Sequence, residues 1–155
     1  MNMKTLAGSY LEKATKRLRV LDVLLEEEAF SDVVREAQEL VELAMKGMLR
    51  YVGVDPPKWH DVSPILVEHR DLLPETIQGT LTRLQEISKR LRREREFAFY
   101  GDIDFIPTEE YTRNDAMQAI GDARFVLDNA TLLIKSSDAA SQAPEPEEPT
   151  TLKQP

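Results

Sequence analysis

Positive charge is concentrated in one short stretch of the chain, residues 88–102. Its basic side chains are Lys89, Arg90, Arg92, Arg93 and Arg95, and its aromatic side chains are Phe97, Phe99 and Tyr100. A Gly101-Asp102 turn follows. Arginine binds phosphate and carboxylate groups through a planar fork of N–H donors. The stretch therefore indicates a site for phosphate, for an acidic partner, or for the protein's own carboxylates.

Helical spacing distinguishes Arg95 from the other arginines. Apolar residues recur at intervals of three and four along this helix, at Leu84, Ile87 and Leu91. The next positions on that face are Glu94 or Arg95. An arginine at the edge of a buried face requires a partner, because an unpaired buried charge is costly. We therefore expect Arg95 to contact a carboxylate, a second subunit or a ligand phosphate.

The basic run is also compatible with a solvent-exposed face that is held by ion pairs. Glu86 with Arg90, and Arg92 with Glu96, have the spacing of four residues at which opposite charges meet on a helix. The residues of this run leave both interpretations open.

Composition excludes several classes of site. The chain has 155 residues, a net charge of −8 and no cysteine, so disulfides, thiolate zinc sites and cysteine nucleophiles are excluded. With only His60 and His69, we expect no metal and no cofactor. The negative charge argues against general affinity for nucleic acid, although a small local site remains possible. No apolar run suits a signal peptide or a membrane span, which predicts a soluble, cytoplasmic protein.

Helical periodicity dominates the chain and predicts an all-α fold. The predicted helices cover about 3–26, from Ser31 or Asp32 to a turn at Gly53, 64–70, 75–97, and from Thr112 onward. Four long helices and one short helix predict an up-and-down antiparallel bundle over residues 1–137. Residues 138–155 are rich in Ser, Ala, Pro and Glu, which predicts a disordered acidic tail.

Two helix starts carry local signals. Ser63 before Pro64 has the pattern of an N-cap followed by proline at the first helical position. Thr112 and Asp115 have the spacing of a capping box in which aspartate takes the usual place of glutamate.

Four segments in this order resemble the HEPN family of small helical domains. They are residues 37–49 (AQELVELAMKGML), which resemble the family's core helix; residues 53–62 (GVDPPKWHDV), which resemble its turn motif; the arginine-rich end of the helix at 75–97; and residues 111–116 (YTRNDA). The resemblance covers about residues 5–135. It implies an up-and-down bundle that commonly forms homodimers.

The resemblance also implies functions. Members of the family cleave RNA without a metal, or bind nucleotides, and many act with a minimal nucleotidyltransferase as toxin and antitoxin. Cleavage uses an arginine and a histidine with four to six residues between them at the end of the long helix, but no histidine follows His69 in this sequence. Tyr100 stands where that histidine would be, and tyrosine is a poor proton carrier at neutral pH.

These observations favour a non-catalytic or weakly active HEPN protein. It would bind a nucleotide or phosphate ligand, or a partner nucleotidyltransferase, through Arg92, Arg93, Arg95, Tyr100 and Asp102. One alternative is a metal-independent ribonuclease that uses Arg95 with Tyr100, or with His60 if the fold brings it near. Another is a structural bundle that recognises a protein partner.

Overall fold

The described helices account for the periodic stretches of the sequence. The computed structural model describes residues 3–58, 61–100 and 110–141, and the side chains of 5–58, 61–95 and 110–136. Its helices are α1 (Met3–Glu26), α2 (Phe30–Tyr51), α3 (Ser63–Glu68), α4 (Glu75–Gln78), α5 (Leu81–Tyr100) and α6 (Arg113–Ser141), with a 3-10 turn at Arg70–Leu72. The predicted all-α helical bundle is confirmed.

Helix α2 is the central element of the bundle. Every one of its side chains is buried or half-buried, because α1, α5 and α6 all pack against it. Gly47 permits a close approach of α1 and α6 to α2: a Cβ at this position would lie 3.2 Å from the Cβ of Tyr10 on α1 and 3.4 Å from Cδ1 of Ile134 on α6. The core side chains therefore converge on α2 from three directions.

Contacts between the ends of the long helices show in which direction each helix runs. Gly47 near the end of α2 lies against the beginning of α1 and the end of α6. Thr80, just before α5, hydrogen-bonds to Asn129 on α6, whereas Arg90 near the other end of α5 pairs with Asp122. Long helices that follow one another in the sequence thus run in opposite directions. Helices α2 and α6, which also pack against each other, run parallel.

The predicted helix over 75–97 is wrong in one respect, because the chain forms two helices there. Gly79 ends α4, and both the amide and the hydroxyl of Thr80 donate to the carbonyl of Ile77, at 3.0 and 2.8 Å. The carbonyl of Thr80 then accepts the bond from Leu84 that begins α5. A tight turn therefore replaces the regular helical bonds at Gly79 and Thr80.

The two helix starts have different outcomes. The capping box is confirmed: the Thr112 amide donates to Asp115 Oδ2 at 2.9 Å, and the Asp115 amide donates to Thr112 Oγ1 at 3.2 Å. The N-cap prediction for Ser63 is wrong, since Ser63 is already helical and Val62 precedes it without a capping side chain. Asp61 accepts the Ser63 amide instead, at 3.0 Å.

The ends of the long helices agree closely with the patterns. Helix α2 ends before Gly53, whose positive φ of 84° suits glycine. Helix α6 continues to Ser141, four residues into the segment predicted as a tail, and residues 142–155 lie outside the described ranges. None of the described helices is long and apolar enough to cross a membrane.

Candidate anion-binding site

Arg95 lies on α5 and points toward α2. Its Nη1 donates to Oε1 of Gln38 at 2.7 Å and lies 3.4 Å from Oε2 of Glu39. The side chain is 41% exposed, so it sits at the edge of the buried face. Of the three kinds of partner expected for Arg95, the structure shows a carboxylate, that of Glu39, and the amide of Gln38 is an additional partner.

A row of polar side chains on α2 orients Gln38. Its Nε2 donates to Glu42 at 3.3 Å, and Glu42 in turn pairs with Lys46 at 2.9 Å. Arginine offers only donors and a carboxylate only acceptors, so the Gln38 carbonyl must face Arg95 and its amide must face Glu42. Because Gln38 is only 5% exposed, this row holds the Arg95 guanidinium at a defined place.

Arg95 forms one wall of a cleft of about 250 Å³, which we call the arginine cleft. Its lining consists of Arg17 from α1, Arg35, Glu36 and Glu39 from α2, and Arg95 from α5. Among the described residues of this lining, three arginines outnumber two glutamates by one charge, on a protein whose total charge is −8. A local positive site in a negative surface is an arrangement suited to anions.

Carboxylates lie between the arginines of the cleft. Glu36 lies between two of them, with its oxygens 4.0 Å from Arg17 Nε and 3.4 Å from Arg35 Nη2. Among the described residues, the buried Nε of Arg17 has no hydrogen-bond acceptor. Each guanidinium carries five N–H donors, which suit it to charge-assisted hydrogen bonds with an anion.

Two of the other predicted site residues, Arg92 and Arg93, lie outside this cleft. Arg92 is half-buried and Arg93 is exposed, and neither lines it. Tyr100 is the last residue of α5, but its side chain lies outside the described residues, as does all of Asp102. The roles proposed for Tyr100 and Asp102 therefore remain predictions.

Arg90 forms an ion pair, but its predicted partner, Glu86, is wrong. This side chain pairs with Asp122 on α6 rather than with Glu86 on its own helix. The pair connects α5 to α6, two helices that otherwise make few contacts. The Glu96 side chain lies outside the described residues, so the pairing predicted for Arg92 with Glu96 stays a prediction.

A second cleft, of about 370 Å³, lies between α5 and α6. The hydroxyl of Tyr111 in its wall is 2.8 Å from Oε2 of Glu94 and donates to this carboxylate. Burial raises the pKa of Tyr111 well above its usual range, and the hydrogen bond and charge of Glu94 raise it further. Tyr111 therefore stays protonated near neutral pH and cannot act there as a general base.

Sequence reasoning missed Arg17 and Arg35. Arg17 follows Ala14 by three positions and so borders the apolar face of α1, which was the available sign that it could turn inward. Arg35 carries no comparable sign. Within the described ranges, no cluster of three or more acidic or histidine side chains could hold a metal ion.

Comparison with known proteins supports the family resemblance. The family model for the HEPN domain matches residues 7–133 of the chain. No curated protein and no solved structure matches the sequence.

Proposed function

Because this chain belongs to the HEPN domain family, we propose that it is a non-catalytic member that binds the phosphate of a nucleotide in the arginine cleft. One observation carries the proposal: guanidinium groups of Arg17, Arg35 and Arg95 converge from three helices. Arginine forks match the geometry of phosphate oxygens, and their hydrogen bonds to an anion are charge-assisted.

The chemistry of the available groups supports binding rather than cleavage. RNA cleavage requires a group that exchanges protons near neutral pH, which histidine does best. The sequence has no histidine beyond His69, and Nδ1 of His69 contacts the carbonyl of Ile65 at 2.9 Å, away from the cleft lining. Among the described residues that line the arginine cleft, none is such a group, so this lining can hold phosphate but supplies nothing to move the proton. His60 lies outside the described residues.

Calorimetric titration of the full chain with ATP tests this proposal. We expect Arg95→Gln and Arg17→Gln each to weaken binding by about ten- to 100-fold, as removal of a charge-assisted hydrogen bond does. Lys89→Gln on α5 and Arg19→Gln on α1 are matched controls, because both side chains are exposed, lie on the same helices and make the same change in charge.

Two results would contradict the proposal. ATP binding that is equally strong in all four variants would place the ligand elsewhere. Degradation of RNA by metal-free protein, lost in Arg95→Gln but retained in Lys89→Gln, would instead establish the ribonuclease alternative.

We also propose a partner for the exposed part of the basic run. Lys89 and Arg93 are exposed on α5, outside the arginine cleft, and offer positive charge to an acidic protein surface. The family resemblance points to a minimal nucleotidyltransferase as that partner, with the chain as a homodimer. Co-purification with such an enzyme that is lost in the Lys89→Glu/Arg93→Glu double variant would support this partner. Sedimentation analysis would give the number of subunits. Unchanged co-purification would contradict the role of this surface.

A further inference from the structure

We infer that the arginine cleft is selective for a terminal phosphate, a phosphomonoester, over the phosphodiester inside a nucleic-acid strand. The inference rests on the proposed function and narrows it to a class of ligand. Charge, shape and the surrounding surface all contribute to the selectivity.

The charges in the cleft favour a dianion. Glu39 already lies 3.4 Å from Arg95, and Glu36 lies between Arg17 and Arg35. A phosphodiester carries a single negative charge, so it gains little by replacing a carboxylate that carries the same charge. A phosphomonoester at about pH 7.5 carries nearly two charges, since its second pKa is about 6. It therefore competes with the resident carboxylates far better.

The shape of the cleft favours the end of a molecule. Its volume of about 250 Å³ is below the roughly 300–1,000 Å³ typical of sites that enclose a whole small ligand. Its described lining consists of three residues of α2, with Arg17 from α1 and Arg95 from α5. A terminal phosphate can enter between these arginines, whereas an internal phosphate must bring two flanking nucleotides with it.

The surrounding surface disfavours a continuing strand. Affinity for a polyanion depends on several phosphate contacts along a basic path. Here the protein's net charge is −8, and Asp32 lies 3.8 Å from Arg35 at the side of the cleft. Each further phosphate of a strand would approach negative charge, while the remainder of a mononucleotide presents none.

The test compares AMP with 3′,5′-cyclic AMP, because the two share adenosine and differ in having a phosphomonoester or a phosphodiester. Calorimetry of the full chain at about pH 7.5 is expected to show AMP binding at least about ten-fold tighter. Arg17→Gln should reduce this preference to about two-fold or less, and Arg17→Lys, which keeps the charge, should retain part of it. Arg19→Gln should leave it unchanged.

An oligonucleotide pair provides a second measurement with no change of base. A single-stranded RNA with a 5′-phosphate should compete with AMP, and the same RNA with a 5′-hydroxyl should not. Circular dichroism of each variant checks that a loss of binding is not a loss of fold.

The possible outcomes separate this inference from the proposed function. If AMP and cyclic AMP bind with equal affinity, and Arg95→Gln abolishes the binding of both, the selectivity is overturned and phosphate binding in the cleft stands. An AMP preference that persists in Arg17→Gln would place the selectivity outside the cleft and overturn the inference. Binding of neither nucleotide, nor of inorganic phosphate, would overturn both.

Discussion

The Asp61→Ala substitution should strongly destabilise the fold, because one carboxylate connects the turn before α3 to α5. Asp61 Oδ1 accepts the Ser63 amide at 3.0 Å and the Ser88 hydroxyl at 2.7 Å, and Oδ2 accepts the Ser63 hydroxyl at 3.0 Å. Ser63 and Ser88 are 2% and 8% exposed, so water cannot easily replace the lost acceptor.

The expected loss follows from these three bonds. A buried donor that loses its acceptor costs roughly 1–3 kcal/mol. Hydroxyl groups can rotate toward other acceptors, so we take about 1 kcal/mol for each bond and expect a total near 3 kcal/mol. That is a large part of the free energy of unfolding of a typical domain, about 5–15 kcal/mol.

Urea unfolding at neutral pH measures this loss. Asp55→Ala is the matched control in the same turn, because the Asp55 side chain is 82% exposed and its pair with Arg50 should contribute no more than about 1 kcal/mol. A double-mutant cycle that combines Asp61→Ala with Ser88→Ala isolates the hydrogen bond between Asp61 and the Ser88 hydroxyl. Its expected coupling energy is about 1 kcal/mol. If Asp61→Ala costs no more than Asp55→Ala, the reasoning is refuted.

Three further substitutions test separate features of the structure. Gly53→Ala should reduce the free energy of unfolding by about 1 kcal/mol, because φ is 84° there. Gly121→Ala on the exposed side of α6 should raise it by about 0.5–1 kcal/mol, since nothing lies within 4 Å of the added Cβ. Tyr111→Phe should leave the tyrosinate absorbance of the folded protein at about pH 11 nearly unchanged, because the raised pKa of Tyr111 keeps its hydroxyl protonated. Gln38→Glu should weaken AMP binding about ten-fold in calorimetry, because it adds a second carboxylate beside Arg95, which already contacts Glu39.

Each of these tests has an internal check. In urea, Tyr111→Phe should lose about a quarter of the tyrosinate signal, since the chain has four tyrosines. The raised pKa in the folded state also stabilises the fold below about pH 10, and this contribution is lost as pH rises toward the folded-state value. Each explanation has a result that would contradict it. For Tyr111 it is full tyrosinate absorbance in the folded protein near pH 11, and for the glycines it is equal stability of the two variants. For Gln38→Glu it is unchanged AMP binding.

The sequence by itself determined the helical fold and the family. Periodicity is a local property, because residues three and four apart share one face whatever the rest of the chain does. The same holds for the Thr112–Asp115 capping box, whose two bonds join residues three apart. Periodicity also identified Arg95 as the arginine at the edge of the buried face, since that position depends only on the apolar residues of its own helix.

Only the tertiary structure decided what Arg95 meets. Arg17 and Arg35 are 78 and 60 residues away in the sequence, and nothing local requires them to approach it. They converge because α2 packs against both α1 and α5, so the side chains of three helices meet in one cleft. Arg90 likewise forms its ion pair with Asp122 on α6 and not with Glu86 on its own helix. Which charges become neighbours depends on the packing of distant segments, and that packing is set by the whole core rather than by any single stretch of sequence.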